Sequence, residues 1–489
     1  MAKQLSILNV SGEILPYCKW TDSADYNSGL SLSLKEKGLD SRIMIPKYGY
    51  ISERKNRIHD INRLREMPIQ IGDIEDFATI KSSSFQNTRS KVQSYITTND
   101  VYFNKLKGVI QDNKSAEEFP NNLERFAFFC RSVIDTCNLL SWFPDVIHIN
   151  DWMSALVPVM ARAIYPDEFK NTKFLFTIQD FYDQGEFDWK ESKYLNLPDE
   201  YLKQIKNKNK VNLLKAGITF SDKLVVTDAK YLEHIANDTE NSNGLSTIIK
   251  AKMKNISVIK PGIDHWLWNP VKDEYLVNKL VDDDWENFKY NNKVELVNKF
   301  GFEYHPKRAM FGIVSNFSKS RGFDYLLESI EELLKEDIQI VIMGDGDKEY
   351  RDRLTEISNN NPEKLQVSIG FDEYIAHTIM AGSDMYFSLA PLEALGMQFM
   401  HACKYGAVPI TPINCALNEI AEDVDGEDGN CIAMKDASSK SLIESFKRAL
   451  ELYADSESFF GITKNCIYEE FGWDENTMEF EKAYRDLVK

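Results

Sequence analysis

The feature that most restricts this chain is a repeating alternation of short apolar, β-branched runs with stretches of helical periodicity. Antiparallel strands can be joined by a two-residue turn, but parallel neighbours need a crossover of a dozen residues or more, usually a helix. The alternation therefore predicts βαβ units and mainly parallel sheets. In the first half the predicted strands are Leu5–Val10, Ser41–Pro46, Asp145–Asn150, Lys173–Gln179, Lys223–Thr227 and Ile256–Lys260, with helices such as Leu123–Leu140 and Met153–Ile164 between them. Residues 67–105 read as short strands and polar turns that decorate the first sheet.

The pattern breaks within residues 270–308, where "KDEYLVNKLVDDDWENFKYNNK" reads as an interdomain connection. A second series follows: a strand at Ala309–Val314, a helix at Phe323–Leu334, then "IQIVIMGDGD", "LQVSIG", "DMYFSLA" and "AVPITP" as further strands and their turns. The last fifty residues are helical in pattern. A chain of 489 residues exceeds what one core organises. The expected fold class is α/β, with two Rossmann-like doubly wound domains facing a cleft.

Composition narrows the function class. Apolar residues make up 43% and aromatics 12% of the chain, as in a well-packed globular enzyme. A formal charge of −18 argues against nucleic acid or an anionic membrane as the main partner. No run approaches the roughly 20 apolar residues of a membrane span, and MAKQLSILNV reads as a first strand rather than a signal peptide. Seven scattered cysteines without CxxC or metal spacing suggest reduced thiols in a cytoplasmic protein, with no metal and no cofactor expected.

In open α/β sheets ligands gather beyond the carboxyl ends of strands. That rule selects residues 11–29, 148–153, 179–185, 260–265, 315–322, 344–347 and 389–397. "KWTDSAD" (19–25) lies after the first strand, with a lysine and two aspartates but no glycine where a phosphate loop would have its glycines. "MGDGD" (343–347) offers two turn glycines before a helix, a structural feature as readily as a ligand loop. Lys319 and Arg321 in "SNFSKSRGFDYL" are either solvated cations or the holders of a diphosphate. Glu393, at a strand-to-helix junction, either complements the helix dipole or accepts hydrogen bonds from sugar hydroxyls. His148 is either packed or catalytic, and Asp151 can serve as an N-cap.

Taken in order, "GEILPYCK" with Asp25 beyond it, "PKYG", "FPNNLERFAFF", "PDVIHINDWMSALVP", "FTIQDFYDQGEF", "LLKAGITFSDKLVV" and "PGIDHWLWNP" with Asp273 resemble the first domain of bacterial glycogen synthases and plant starch synthases. "SRGFDYLLESI", "MGDGDKEY", "IGFDEYIAHTIMAGSDMYFSLAPLEALGMQFMHACKYGAVPITP" and "FGWDE" resemble the second. The resemblance spans essentially the whole chain. It implies the GT-B architecture: an N-terminal starch-synthase-like acceptor-side domain at 1–270, a connection at 271–305, a nucleotide-sugar-binding domain at 306–470, and a C-terminal helix at 471–489 crossing back to the first domain. It also implies transfer of glucose from ADP-glucose, or a related nucleotide sugar, to the non-reducing end of an α-1,4-glucan with retention of configuration, in an enzyme needing neither metal nor covalent nucleophile.

Residue by residue, the resemblance implies catalytic roles for Lys19, Arg321 and Glu393. Lys19 and Arg321 would hold the diphosphate and Glu393 the donor sugar, with Asp25, Asn316, Gly396, Cys415 and Ala416 completing the donor site. Asn316 stands where the family has an arginine. Cys415 and Ala416 replace a glycine pair, adding Cβ atoms or forcing positive φ where a backbone must approach closely. Thr21 and Asp22 replace another glycine pair. Glu13, Asn121, His148, Asn150 and Asp264 would line the sugar and acceptor cleft, Asn150 in place of a histidine facing the transferred glucose. These substitutions leave two alternatives: a catalytically impaired homologue that binds glucan or nucleotide as a regulatory protein, and a glycosyltransferase with a different donor or acceptor.

Overall fold

The computed structural model describes residues 4–87 and 89–489. The chain divides into two compact units, Met1–Gly262 with Trp473–Lys489, and Ile263–Gly472.

In the first unit the strands are β1 (Ser6–Val10), β2 (Asp40–Pro46), β3 (His59–Asp60), β4 (Met67–Ile71), β5 (Ile74–Gln86), β6 (Lys91–Thr98), β7 (Val146–Asn150), β8 (Lys173–Ile178), β9 (Glu186–Asp188), β10 (Lys206–Asn207), β11 (Lys210–Asn212), β12 (Lys223–Val226) and β13 (Ile256–Val258). The main sheet runs β13-β12-β8-β7-β1-β2-β6-β5-β3, with β4 on β5. It is parallel from β13 to β6, and β3, β4 and β5 add antiparallel pairings. β9–β11 form a small separate sheet. β1 and β7 are buried along nearly all their length, as expected for strands covered on both faces. β1 lies between β2 and β7, so the winding direction reverses there, the place where open α/β sheets take their ligands.

Within residues 67–105 the strands are longer than the sequence suggested: β5 spans 13 residues and β6 joins the main sheet. The helix expected at Met153–Ile164 is two, Asp151–Ser154 and Val157–Ile164. Pro158 has no N–H and is tolerated in a first helical turn, so the helix restarts just before it. The last helix, Asp474–Leu487, belongs to this unit. The ring of Trp473, the residue before it, lies edge-on to Tyr26 with centroids 5.2 Å apart, and Thr477 and Tyr484 hydrogen-bond Ser33 (2.6 Å) and His148 (2.7 Å).

The second unit has one parallel sheet of β14 (Ala309–Val314), β15 (Ile338–Gly344), β16 (Leu365–Ile369), β17 (Met385–Phe387), β18 (Val408–Pro412) and β19 (Ile432–Met434), in the order β16-β15-β14-β17-β18-β19. Its switch point lies between β14 and β17, from which the chain winds outward in opposite directions. Residues 271–305 are not a free connection but part of this unit. Helix Trp285–Lys299 buries Trp285, Phe288 and Leu296. Lys289 donates to the carbonyls of Ala381, Ser383 and Tyr405, and Lys293 pairs with Asp384 at 2.6 Å. A segment rich in charge looks solvated in sequence, yet here two of its ammonium groups terminate backbone carbonyls of the unit's core.

Candidate functional site

In the first unit, the loop after β1 is organised by Glu13. Its carboxylate accepts the Trp20 and Thr21 backbone N–H groups and the Thr21 hydroxyl, the latter two at 2.8 and 2.5 Å. Burial pushes its carboxyl up to about 7 against those hydrogen bonds and the Lys19 charge. Lys19 is itself buried and its ammonium lies 2.5 Å from Asp25. "KWTDSAD" is thus held by the chain's own carboxylates: one gathers the loop amides and another faces the lysine.

At the ends of β7 and β8, Asp151 sits at φ 52°, an uncommon conformation for a non-glycine residue. Its carboxylate accepts the N–H groups of Gln179 (2.9 Å) and Asp180 (3.2 Å) and the Ser23 hydroxyl (3.0 Å), and burial raises it to about 7. Asn150 is buried, with Nδ2 on the Val10 carbonyl at 3.4 Å. Gln179 Nε2 donates to Asn150 Oδ1 and Asn27 Oδ1, both at 3.1 Å, while Asn27 Nδ2 donates to Ser11 Oγ at 2.8 Å. This amide chain fixes the orientation of all three side chains and leaves Gln179 Oε1 with no donor among the described residues. Gln179 was not singled out from sequence. The strand-end rule covers its segment, but a glutamine has no titration or metal chemistry to mark it.

His148 occupies the core rather than an open face. It has no exposed surface, its Nδ1 meets the Tyr484 hydroxyl at 2.7 Å and its Nε2 meets the Thr177 hydroxyl at 2.6 Å. Burial lowers its pKa to about 3, so the ring is neutral. Asn121 precedes helix Asn122–Leu140 without a side-chain capping bond. The neighbouring Arg125 is fully buried, bonded to the Tyr102 and Val109 carbonyls and to Asn122.

In the second unit, the loops after β14 and β17 bring Arg321 and Glu393 together, Nη1 to Oε2 at 3.5 Å. Glu393 is nearly buried; its Oε1 accepts the N–H groups of Leu395 and Gly396, each at 3.0 Å, so one oxygen serves the start of helix Met397–Lys404 and the other faces Arg321. Of the two readings of Glu393 from sequence, these contacts show the carboxylate that serves a helix start. Gly396, at φ 67°, is the N-cap of that helix. Ser315, Arg321, Tyr386, Ser388, Glu393 and Gln398 line a cavity of about 20 Å³, room for about one water.

Cys415 takes φ 42°, and the Ala416 N–H donates to the Glu393 carbonyl at 3.0 Å. The positive φ that a glycine would adopt freely therefore falls on Cys415 alone of the two substituted positions. Asn316 is half-buried and its side chain makes no hydrogen bond to the described residues. Lys319 is exposed, 3.5 Å from Asp324. Asp264 begins a turn, its carboxylate accepting the Trp266 N–H at 2.8 Å. Gly344 and Gly346 are packing glycines: a Cβ at either would meet a backbone carbonyl, Ser315 at 1.8 Å or Phe317 at 2.4 Å. Among the described residues no group of three or more His, Cys, Asp or Glu side chains is placed to hold a metal ion, and no helix is long and apolar enough to cross a membrane.

The family model "Starch synthase catalytic domain" matches residues 6–251, and "Glycosyl transferases group 1" matches residues 298–460. The chain is 30% identical over 489 residues to the glycogen synthase of Chlorobaculum parvum and 31% identical over 489 residues to that of Chlorobaculum tepidum, covering 99% of both chains in each case. Among solved structures, the catalytic domain of starch synthase IV from Arabidopsis thaliana, bound to ADP and acarbose, superposes with a TM-score of 0.89 at 20% identity, over 99% of this chain and 100% of that one. Sucrose-phosphate synthase from Thermosynechococcus elongatus gives 0.60 at 12% identity, over 99% of each chain. With two doubly wound units of the GT-B type and full-length likeness to these synthases, the chain belongs to the glycogen and starch synthase family of glycosyltransferases.

Proposed function

We propose that the chain transfers glucose from ADP-glucose to the non-reducing end of an α-1,4-glucan, with retention of configuration. The observation that carries this reading is the Arg321–Glu393 pair at the switch point of the second sheet. A cation for the diphosphate and a carboxylate for sugar hydroxyls stand side by side where this fold presents ligands. In this reading Arg321 is the principal cation and Lys19 a second. Asp25, Asn316, Gly396, Cys415 and Ala416 complete the donor site, and Glu13, Asn121, Asn150 and Asp264 shape the acceptor side. His148 supports that side only indirectly, as a core residue. The bond from C1 to the diphosphate breaks, the acceptor hydroxyl oxygen bonds C1, and its proton leaves with the diphosphate. The seven cysteines are buried and form no disulfide, which supports a reducing, cytoplasmic setting.

A second reading, a glucan- or nucleotide-binding homologue with little turnover, is favoured by one observation: Lys19 is ion-paired with Asp25 inside the first unit. Release of nucleoside diphosphate from a panel of nucleotide sugars, in the presence of glycogen, separates the two. ADP release well above a Glu393→Ala control supports the synthase. Release no greater than that control with every donor, alongside measurable ADP binding, supports the second reading.

A further inference from the structure

The turn adjoining Glu393 carries the positive φ of Cys415. Asn414, just before Cys415, spans the two loops concerned. Its Oδ1 accepts the Glu393 N–H at 2.9 Å, while its Nδ2 donates to the carbonyls of Pro412 at 3.0 Å and Ala390 at 3.4 Å. The amide cannot be reversed: Oδ1 faces a donor and Nδ2 faces two acceptors. A fourth bond, from the Ala416 N–H to the Glu393 carbonyl at 3.0 Å, closes the turn on the other side. The backbone of Glu393 is therefore gripped at its N–H by the Asn414 side chain and at its carbonyl by the residue after Cys415.

We infer that Asn414 is the positioning residue of Glu393: it fixes the carboxylate between the helix amides of Leu395 and Gly396 and the Arg321 guanidinium, and so sets how the donor sugar is held. The inference rests on the reading of Glu393 as the sugar-binding carboxylate. Asn414 touches no reacting atom in this account and acts through Glu393. Side-chain amides suit the task because one group supplies both an acceptor and two donors. A residue that provided only one of these would leave a backbone N–H or two carbonyls of a half-buried turn unpaired.

The test compares ligands with and without the sugar. Calorimetric titration of ADP and of ADP-glucose into the wild-type chain, Asn414→Ala, Glu393→Ala and the double variant is accompanied by steady-state kinetics. Asn414→Ala is expected to weaken ADP-glucose binding, and to lower kcat/KM for the donor, by about tenfold to a hundredfold, while ADP affinity changes by less than about threefold. On the Glu393→Ala background the same substitution adds less than about twofold, because two residues that act as one unit are not additive. The KM for glucan stays as in the wild type. If Asn414→Ala does not fold, Asn414→Asp keeps the volume and the acceptor but turns a carboxylate toward two carbonyls, and the same selective loss is expected. Equal losses for ADP and ADP-glucose, or losses that add to those of Glu393→Ala, overturn the inference. A wild-type chain that binds ADP but no nucleotide sugar overturns the functional reading first and this inference with it.

Discussion

Replacing Glu13 by glutamine isolates what a buried carboxylate does to the loop after β1. Glu13 is fully buried, and its carboxyl stands at about 7 in the folded chain against an ordinary value of 4.5. At about 1.4 kcal/mol per pKa unit, that distance corresponds to about 3 kcal/mol. The sign follows from proton binding. Below pH 4.5 the group is protonated in both states and costs nothing. As the pH rises through 4.5 the unfolded chain ionises first, and the folded chain loses relative stability until its own carboxyl ionises near pH 7. Glu13→Gln is neutral throughout, so it lacks this loss. Its weaker grip on the Trp20 and Thr21 amides is independent of pH and shifts the whole curve vertically. Urea unfolding of both proteins from pH 4 to pH 8 is the assay. The stability of Glu13→Gln relative to wild type should climb by about 3 kcal/mol across that range, mostly between pH 4.5 and 7. Asp151, also raised to about 7, contributes equally to both proteins and cancels. Parallel curves would refute the reasoning, for they would mean that Glu13 ionises in the folded loop as it does in water.

Arg321→Ala removes the cation facing Glu393 and should lower kcat by about 10²–10³, the usual cost of one charge-stabilising donor, in a single-turnover assay with ADP-glucose. His148→Leu strips partners from the buried Tyr484 and Thr177 hydroxyls and should cost about 2 kcal/mol in chemical denaturation, with kcat/KM little changed. His377 is buried, which disfavours its charge, but the hydrogen bond to Asp273, helped by Glu373, holds its pKa above the ordinary value. Its protonated form therefore contributes stability below about pH 6.5, lost as the pH rises through the folded value. His377→Gln should lose that contribution in acid and converge toward wild type in alkali, read by unfolding at pH 5.5 and 8.5.

Much of the architecture was legible because buried parallel strands must be continuous apolar runs. Ala309–Val314 matches its predicted limits, and the strands at residues 6–10 and 146–150 fall within one residue of theirs. The strand-end rule selects the loops that carry Arg321 and Glu393. What stayed hidden depends on partners far away in sequence. Lys19 reads as an available cation, but Asp25 lies 2.5 Å from it. His148 lies in a motif that suggests chemistry, yet a tyrosine 336 residues later takes one of its nitrogens. Residues 271–305 look like a linker because their lysines are charged, and only the fold shows that two of them end backbone carbonyls, Lys289 on Ser383 and Lys293 on Arg308 at 2.8 Å. Asn414 and Gln179 escaped notice since a neutral amide shows its purpose only through the groups that surround it.

The central claim is the transfer reaction itself. Incubating the chain with ADP-glucose carrying 13C in the sugar and a short maltooligosaccharide, then following the new linkage by NMR, tests it directly. The expected product carries a single new α-1,4 linkage at the non-reducing end, formed in step with ADP release and abolished by Glu393→Ala. A product with inverted configuration, a different linkage, or no incorporation of label would contradict the claim.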